Sequence, residues 1–222
     1  MRDEQRSDRV FLRSFGCSSN MADGEFMSGC LLEAGFKLVD SPEEADVLIY
    51  NTCAVKTPTE NRIIEVLKRA RKMRDKRLLV TGCLPVINSQ RLRDEVTADA
   101  VLGPSCGSGV VETVQKIVEG KLTAQMKQNQ APSLSLLLPK RQVNPVVSII
   151  PVAQGCLGSC AYCCVVLARG RLRSFAIEEI AKRAHADIEA GAREVWLTGQ
   201  DMGCYGKDIG TNLAELLHNV CS

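Results

Sequence analysis

Cysteine is the residue type in this sequence most able to do chemistry, with eleven copies in 222 residues. Three of them, Cys156, Cys160 and Cys163, follow one another in the stretch GCLGSCAYC, directly after a predicted strand. A structural zinc ion is enclosed by four ligands, whereas a [4Fe-4S] cluster held by three cysteines keeps one iron open for a chelating cofactor. The spacing therefore favours an iron–sulfur cluster. A zinc knuckle completed by Cys164 or by a distant residue is the alternative.

Three more cysteines share a second pattern, because each follows the end of a predicted strand. Cys17 lies in SFGCSS, Cys53 in YNTCAV and Cys83 in VTGCLP. The carboxyl ends of parallel strands meet at one edge of a sheet, so residues far apart in sequence can converge there. The sequence therefore predicts that these three thiols lie near one another. By itself it does not distinguish a shared cluster from three ordinary core cysteines.

The elements that must hold these loops alternate between strands and helices. Residues 10–120 are predicted to form a parallel α/β layer, in which Asn20 caps the first helix. Residues 121–145 lack a clear period and are predicted to be a linker. Residues 146–222 start a second α/β unit, and its two βα repeats are too few to close a barrel, so we expect a truncated domain. The predicted strands are Val10–Phe15, Ala45–Tyr50, Arg77–Thr81, Ala100–Leu102, Val146–Val152 and Glu194–Thr198.

The composition excludes several classes of protein. The 28 basic and 26 acidic residues give a net charge of +2, which offers no electrostatic argument for binding nucleic acid or a membrane surface. Aromatic residues make up 4% of the chain, too few to suggest a base-stacking platform. The N-terminus MRDEQRSDRV lacks the apolar segment of a secretory signal, and no apolar run is long enough to span a membrane. We therefore expect a cytoplasmic, reducing location, where cysteines are thiols or metal ligands.

The cysteine loop and its surroundings resemble a known family. The C-x3-C-x2-C motif, with Tyr162 before its third cysteine, resembles the signature of radical S-adenosylmethionine (SAM) enzymes. The stretches QGCLGSCAYCCVVLARGRLRS and GQDMGCYGKDIG are similar to the methylthiotransferase branch of these enzymes. The N-terminal motifs SFGCSSNMAD, YNTCAVK and VTGCLP match that branch in the same order. The resemblance covers nearly all of residues 10–222.

This resemblance implies a fold and a set of cofactors. The fold would be an N-terminal, Rossmann-like methylthiotransferase domain followed by the first part of a radical SAM partial TIM barrel. Two [4Fe-4S] clusters and SAM would be bound. The implied metal ligands are Cys17, Cys53 and Cys83 for one cluster, and Cys156, Cys160 and Cys163 for the other. The implied SAM-binding residues are Tyr162, Arg169, Gly199 and Gln200, with Arg169 contacting either the SAM carboxylate or a tRNA phosphate.

The implied reaction replaces a C–H bond by C–SCH3. The cluster of the second triad would cleave SAM reductively, and the resulting deoxyadenosyl radical would remove hydrogen from the substrate, while the N-terminal cluster would present the sulfur. The stretch WLTGQDMGCYGKDIGT looks most like archaeal and eukaryotic members, which act on N6-threonylcarbamoyladenosine at position 37 of the tRNA anticodon loop. An electron donor such as a flavodoxin or ferredoxin is also implied.

Several alternatives stay open at this point. Within the family, the substrate could be isopentenyladenosine in tRNA or an aspartate of a ribosomal protein. From other classes, a non-catalytic iron–sulfur protein or a zinc-stabilised RNA-binding module would also use the cysteines. The remaining cysteines have no partner spacing and are expected to be incidental, although two of them, Cys164 and Cys204, depart from the family pattern and could be adventitious ligands. The full set is Cys30, Cys106, Cys164, Cys204 and Cys221.

Overall fold

The N-terminal part of the chain is built on a parallel sheet. The computed structural model describes residues 8–121, 126–127 and 135–221. Within these residues the first sheet has six strands in the order β2-β1-β3-β4-β5-β6, all parallel. The order reverses between β1 and β3, and sheets of this flavodoxin-like order bind ligands in the crevice at that point. The strands are β1 (Arg9–Ser14), β2 (Lys37–Val39), β3 (Val47–Thr52), β4 (Arg77–Gly82), β5 (Ala100–Leu102) and β6 (Met126–Lys127).

Helices cover both faces of this sheet. Strand β3 is buried at every position, as a central strand of a parallel sheet should be. The apolar stripe of α2, which includes Ile63 and Leu67, packs on one face, and Val110 and Val114 of α5 pack on the other. Among the described residues, none of the helices combines the length and apolar composition needed to cross a membrane. The helices of this part are α1 (Ser18–Glu33), α2 (Thr57–Arg71), α3 (Leu84–Ile87), α4 (Ser89–Glu95) and α5 (Gly109–Val118).

Two features of this part were not predicted. Strand β2 was missed because it is a three-residue edge strand of mixed polarity, with no buried run to reveal it. The segment 121–145, predicted to be a linker, is partly built into the fold, since Met126–Lys127 pairs with β5 and Leu136 is buried. The rest of that segment, residues 122–125 and 128–134, lies outside the described residues. The predicted boundaries at 120 and 146 stay predictions.

The C-terminal part begins as the first repeats of a βα barrel would. Strands β7 and β10 are parallel neighbours joined by a crossover that contains α7. A short antiparallel pair, β8 with β9, frames the cysteine loop. A 3-10 turn, Met202–Cys204, follows β10. The elements are β7 (Val147–Pro151), β8 (Ala153–Gln154), α6 (Val165–Arg169), β9 (Arg173–Ser174), α7 (Ile177–Glu189), β10 (Glu194–Thr198) and α8 (Leu213–Cys221).

Helix α1 is shared by both parts of the chain. Ten consecutive residues of α1, from Ala22 to Leu31, are all buried. Met27 and Leu31 pack in the core of the N-terminal part, here called the first core. Phe26 packs with Ile150 in the core of the C-terminal part, here called the second core. A helix enclosed on all sides has no solvent-facing stripe, which is why α1 lacks the amphipathic pattern of a surface helix.

A buried ionic network joins α1 to the second part. The Lys140 ammonium donates to Asp187 at 2.8 Å and to the carbonyl of Ile149 at 2.9 Å, and it lies 3.5 Å from Glu25. All three charged side chains are at most 6% exposed. Burial raises the pKa of Glu25, while a backbone hydrogen bond from Val143 and the charge of Lys140 lower it. Lys140 is therefore the cation beside Glu25, and it shares Asp187 with Arg183, which lies 3.3 Å from that carboxylate.

We predict that Lys140→Met destabilises the fold by about 3–5 kcal/mol at neutral pH, since it leaves the buried Glu25 without its cation and Asp187 with Arg183 alone. The loss should shrink as the pH is lowered. A carboxyl group with a raised folded-state pKa takes up a proton more readily when folded, so acid favours the folded state. Chemical denaturation at several pH values measures both effects. The matched control is Lys116→Met, which removes an exposed pair with Glu112 and should change little; equal losses in the two variants would contradict the prediction.

Candidate metal centre

The three N-terminal cysteines lie at the carboxyl ends of adjacent strands. Cys17 follows β1, Cys53 directly follows β3 and Cys83 directly follows β4. The backbone N–H of Cys83 donates to the carbonyl of Thr52 at 2.8 Å, which ties the second and third loops together. Cys53 and Cys83 are buried, whereas Cys17 is exposed. The structure therefore brings the three loops to one edge of the sheet, and their role as cluster ligands stays a prediction.

Asn20 connects all three of these loops. Its amide nitrogen donates to the carbonyls of Phe15 at 2.8 Å and Thr52 at 2.9 Å, which precede the first and second cysteines. Its amide oxygen accepts a 3.9 Å contact from the thiol of Cys83. The prediction that Asn20 caps the first helix is wrong, because Cys17 occupies the cap position, α1 begins at Ser18 and Asn20 is its third residue. The side chain hydrogen-bonds to the cysteine loops instead of capping the helix.

Gly82 permits the close approach of the second and third loops. Its φ is +97°, in the region that favours glycine, and a Cβ added there would lie 2.2 Å from the carbonyl oxygen of Thr52. A side chain at this position would push the loop that carries Cys83 away from the loop that carries Cys53. The glycine before Cys83 is thus required for the convergence.

Arg169 reaches this N-terminal site from the other part of the chain. It stands at the end of α6, just after the second cysteine loop. Its guanidinium donates to Asn20 at 2.6 Å, to Asp23 at 2.7 Å and to Ser105 at 3.2 Å. The side chain is 4% exposed. Its buried donors are thus directed at protein groups, and its contact with a SAM carboxylate or a tRNA phosphate stays a prediction.

The charge of Arg169 lies close to the N-terminal thiols. Burial raises the pKa of Cys83 to about 11, and Arg169 acts in the opposite direction by favouring the thiolate. Burial by itself lowers the pKa of Arg169, but Asp23, with the charges of Cys83 and Cys17, raises it overall. Arg169 therefore supplies a permanent positive charge beside a site where negative ligands would gather.

The second cysteine loop is more open. Cys160 is exposed, and Cys156 and Cys163 are half-buried. The loop folds through a bond from the N–H of Cys163 to the carbonyl of Cys160 at 3.0 Å, and the N–H of Gly158 donates to the sulfur of Cys156 at 3.1 Å. Tyr162 is 91% exposed, and a hydrogen bond with Cys160 raises its pKa. The predicted ligands thus share one accessible loop.

Two glutamines, the buried Gln154 and the half-buried Gln200, flank this loop. The amide nitrogen of Gln200 donates to Ser19 at 3.1 Å, but its amide oxygen is buried without a hydrogen-bond partner. The amide nitrogen of Gln154, which lies two residues before Cys156, is also buried and unpartnered. Gly199, beside Gln200, faces the sulfur of Met202. Buried polar groups require partners, so an unpaired acceptor and an unpaired donor beside the loop fit a polar cofactor such as an amino acid moiety. Gln154 was missed by sequence reasoning because nothing in its spacing marks it.

The two cysteine sites adjoin each other. Ser18, directly after Cys17, shares a 2.6 Å hydrogen bond with Thr198 at the end of β10. Three residues later, the carboxylate of Asp201 lies 3.8 Å from the sulfur of Cys156. The loop of the first triad therefore contacts the strand end that borders the second, although the cysteines are far apart in sequence.

The spacing of the thiols bears on the kind of metal. Of the residues that the structure describes, only Cys156, Asp201 and Cys204 place three ligand atoms within 4.8 Å of one another. The three sulfurs of neither predicted triad all lie within 4.8 Å of one another. A tetrahedral zinc ion with Zn–S bonds of about 2.3 Å needs its sulfurs about 3.8 Å apart. Neither triad is therefore preformed as a site for a single zinc ion.

The other cysteines are mostly structural, as expected. Cys30 and Cys106 are buried, Cys164 is half-buried and Cys221 is exposed on α8. Cys204 is the exception. It was expected to be incidental or an adventitious ligand, and the 3-10 turn brings it beside Cys156.

The fold and the sites together define an α/β protein with two groups of three cysteines. One group lies at the carboxyl edge of the parallel sheet, and the other lies on a loop beside the second sheet. Residues 9–103 match the uncharacterized protein family UPF0004. The chain is 38% identical over 215 residues to the probable threonylcarbamoyladenosine tRNA methylthiotransferase of Pyrococcus horikoshii, covering 96% of this chain and 49% of that protein. It is 37% identical over 214 residues to the threonylcarbamoyladenosine tRNA methylthiotransferase of Homo sapiens, covering 94% of this chain and 36% of that protein.

The chain is therefore similar to methylthiotransferases over nearly its whole length, which confirms the resemblance drawn from its motifs. It spans about half the length of the archaeal relative and about a third of the human one. The activity of the longer proteins is consequently a proposal for this chain.

Solved structures confirm the predicted fold class. The radical SAM methyltransferase TsrM from Kitasatospora setae, solved with cobalamin and a [4Fe-4S] cluster, matches with a TM-score of 0.66 at 13% identity, over 96% of this chain and 52% of that one. The cobalamin-dependent SAM radical enzyme OxsB matches with a TM-score of 0.56 at 10% identity, over 97% of this chain and 37% of that one. At such identities the likeness concerns the fold.

We predict that Gly82→Ala costs several-fold more stability than Gly35→Ala. Both glycines have positive φ, but the space around Gly35 is open within 4 Å, whereas a Cβ at Gly82 would meet Thr52. Gly35→Ala should therefore cost about 1 kcal/mol of backbone strain, and Gly82→Ala should add the steric clash to that strain. Free energies of unfolding from chemical denaturation give the comparison. Equal costs would show that the loops of Cys53 and Cys83 are not held in close contact.

Proposed function

We propose that this chain holds the cluster-binding machinery of a radical SAM tRNA methylthiotransferase. The observation that carries the proposal is the pair of adjoining three-cysteine sites, joined through the buried side chain of Arg169. Cys17, Cys53 and Cys83 would hold one [4Fe-4S] cluster, and Cys156, Cys160 and Cys163 the other. Three protein ligands per cluster leave one iron open in each.

The cofactors supply the reactive chemistry and the chain supplies placement. When bound, the clusters and SAM provide reductive cleavage of the SAM sulfonium and the sulfur for a new C–SCH3 bond. Gln200 offers an unpaired acceptor for the SAM amino group, and Gln154 an unpaired donor for its carboxylate. Asn20 holds the loops of the N-terminal triad in register, and Arg169 fixes Asn20 from the opposite part of the chain. Burial of Cys53 and Cys83 excludes water from the inner side of the N-terminal site.

The proposed substrate is tRNA carrying N6-threonylcarbamoyladenosine at position 37, which would become the 2-methylthio derivative. The names of the archaeal and human relatives support this substrate over isopentenyladenosine or a ribosomal aspartate. The proposed electron donor is a flavodoxin or ferredoxin. A reducing cytoplasm suits the eleven free cysteines.

We predict about eight iron atoms per chain after anaerobic reconstitution with iron and sulfide, because two triads each hold a four-iron cluster. Replacing either triad by alanine should leave about four. Iron and sulfide analysis measures the count. About four iron atoms in the unsubstituted chain would contradict the two-cluster arrangement, and zinc in place of iron would favour the zinc-stabilised module.

We further predict that the two triads differ in their effect on the products. With Cys17, Cys53 and Cys83 replaced by alanine, SAM should still be cleaved to deoxyadenosine, but no methylthio product should form. With Cys156, Cys160 and Cys163 replaced, both products should be lost. One anaerobic assay with tRNA and a reductant, read by mass spectrometry, quantifies both.

The same assignment can be checked in cells. Loss of the gene should remove the 2-methylthio group from tRNA nucleosides while leaving threonylcarbamoyladenosine in place. Restoring the unsubstituted gene should recover the group, whereas a gene with either triad replaced should not. Persistent methylthio-tRNA in the absence of the gene would argue for a non-catalytic iron–sulfur protein.

A further inference from the structure

A second ligand group lies beside the second cysteine loop and shares one residue with it. The sulfurs of Cys156 and Cys204 and a carboxylate oxygen of Asp201 are all within 4.8 Å of one another. Asp201 is exposed, whereas Cys204 is 2% exposed and belongs to the second core. The group is preorganised, because the other oxygen of Asp201 accepts from the N–H of Gly203 at 3.0 Å and so fixes the turn that carries Cys204.

Backbone donors point at both sulfurs. The N–H of Gly158 donates to Cys156 at 3.1 Å. The backbone of the preceding residue, Leu157, makes a hydrogen bond to Cys204. The thiol of Cys204 also donates to the backbone carbonyl of Asp201 at 3.0 Å, so its proton must leave when a metal binds. Two successive residues of one loop thus serve two cysteines that lie far apart in sequence.

The dimensions suit a single ion. Tetrahedral zinc, with Zn–S of about 2.3 Å and Zn–O of about 2.0–2.2 Å, places its ligand atoms about 3.4–3.8 Å apart. The sulfur of Cys156 is 3.8 Å from the carboxylate of Asp201. A rearrangement of about 1 Å at most would therefore bring all three atoms to coordinating positions. Two thiolates and a carboxylate are ligands that zinc accepts, with a water completing four.

We propose that Cys156, Asp201 and Cys204 form a site for one thiophilic divalent cation of the zinc type. The site competes with the iron–sulfur cluster for Cys156. One thiolate cannot serve both centres, so a bound cation withholds Cys156 from the cluster. The competition rests on the proposed function, whereas binding of the cation does not.

Zinc titration of the reduced, metal-free chain tests the site. Cys17, Cys53 and Cys83 are replaced by alanine in all samples to remove the other converging thiols, and a chromophoric chelator competes for the metal. Cys204→Ser and Asp201→Asn should each weaken binding by about tenfold or more. Cys164→Ser, which removes the neighbouring thiol outside the group, should leave it unchanged. Unaltered affinity in Asp201→Asn and Cys204→Ser, or its loss in Cys164→Ser, would overturn the site. Because Asp201 is exposed, its variant stays informative if the core substitution at Cys204 disturbs folding.

Reconstitution with iron and sulfide tests the competition, using the chain with its N-terminal triad intact. Without zinc, Cys204→Ser should take up as much iron as the unsubstituted chain. With one equivalent of zinc added first, the unsubstituted chain should lose the iron of the second cluster, and Cys204→Ser should keep it. Reduced iron uptake by Cys204→Ser without zinc would make Cys204 a cluster ligand and overturn the competing site. If no iron binds at the Cys156 loop under any condition, the proposed function fails while the zinc titration still decides the site.

Discussion

The buried ion pair between Arg169 and Asp23 is the interaction on which the arrangement of both cysteine sites depends. The two side chains are each 4% exposed, so neither charge is solvated by water. Breaking such a pair leaves an uncompensated buried charge, which is far more costly than losing a surface contact. Because Arg169 follows the second cysteine loop and Asp23 follows the first, the cost of separating them fixes the two loops against each other. Asn20, held by the same guanidinium, carries that constraint to the N-terminal thiols.

Helix α1 makes this constraint possible by serving both cores. It presents Asn20 and Asp23 one turn apart toward Arg169, and Glu25 toward Lys140. Burying polar side chains costs free energy unless they are paired. Here Arg169 pairs with Asn20 and Asp23, and Lys140 lies beside Glu25. The same helix therefore supplies apolar packing and the polar groups that orient the second part. A sheet edge alone would gather the N-terminal cysteines, but it would not place them beside the second loop.

The electrostatics of the N-terminal site suit a centre that is loaded after folding. Burial raises the pKa of Cys83 to about 11, so at neutral pH its thiol is protonated in the metal-free chain. Metal ligation requires the thiolate, so binding must release a proton. Arg169 lowers the cost of that release without titrating itself. The second loop is more accessible, and its Cys156 lies beside the side chains of Asp201 and Cys204.

The sequence by itself determined four of the six strands of the parallel sheet, because their apolar runs are bounded by turns; these four lie within two residues of the observed ones. It also determined which six cysteines stand at strand ends or on one loop, since spacing and strand order are local properties. The roles of Asn20, Arg169 and Cys204 were decided only by the tertiary structure. From the sequence alone, Asn20 is typical of a helix cap, Arg169 of a surface turn and Cys204 of an incidental thiol. Each acquires its role through at least one partner more than forty residues away, namely Arg169 for Asn20, Asn20 for Arg169 and Cys156 for Cys204. Local pattern carries no information about such partners, because long-range pairing follows from how two cores share α1.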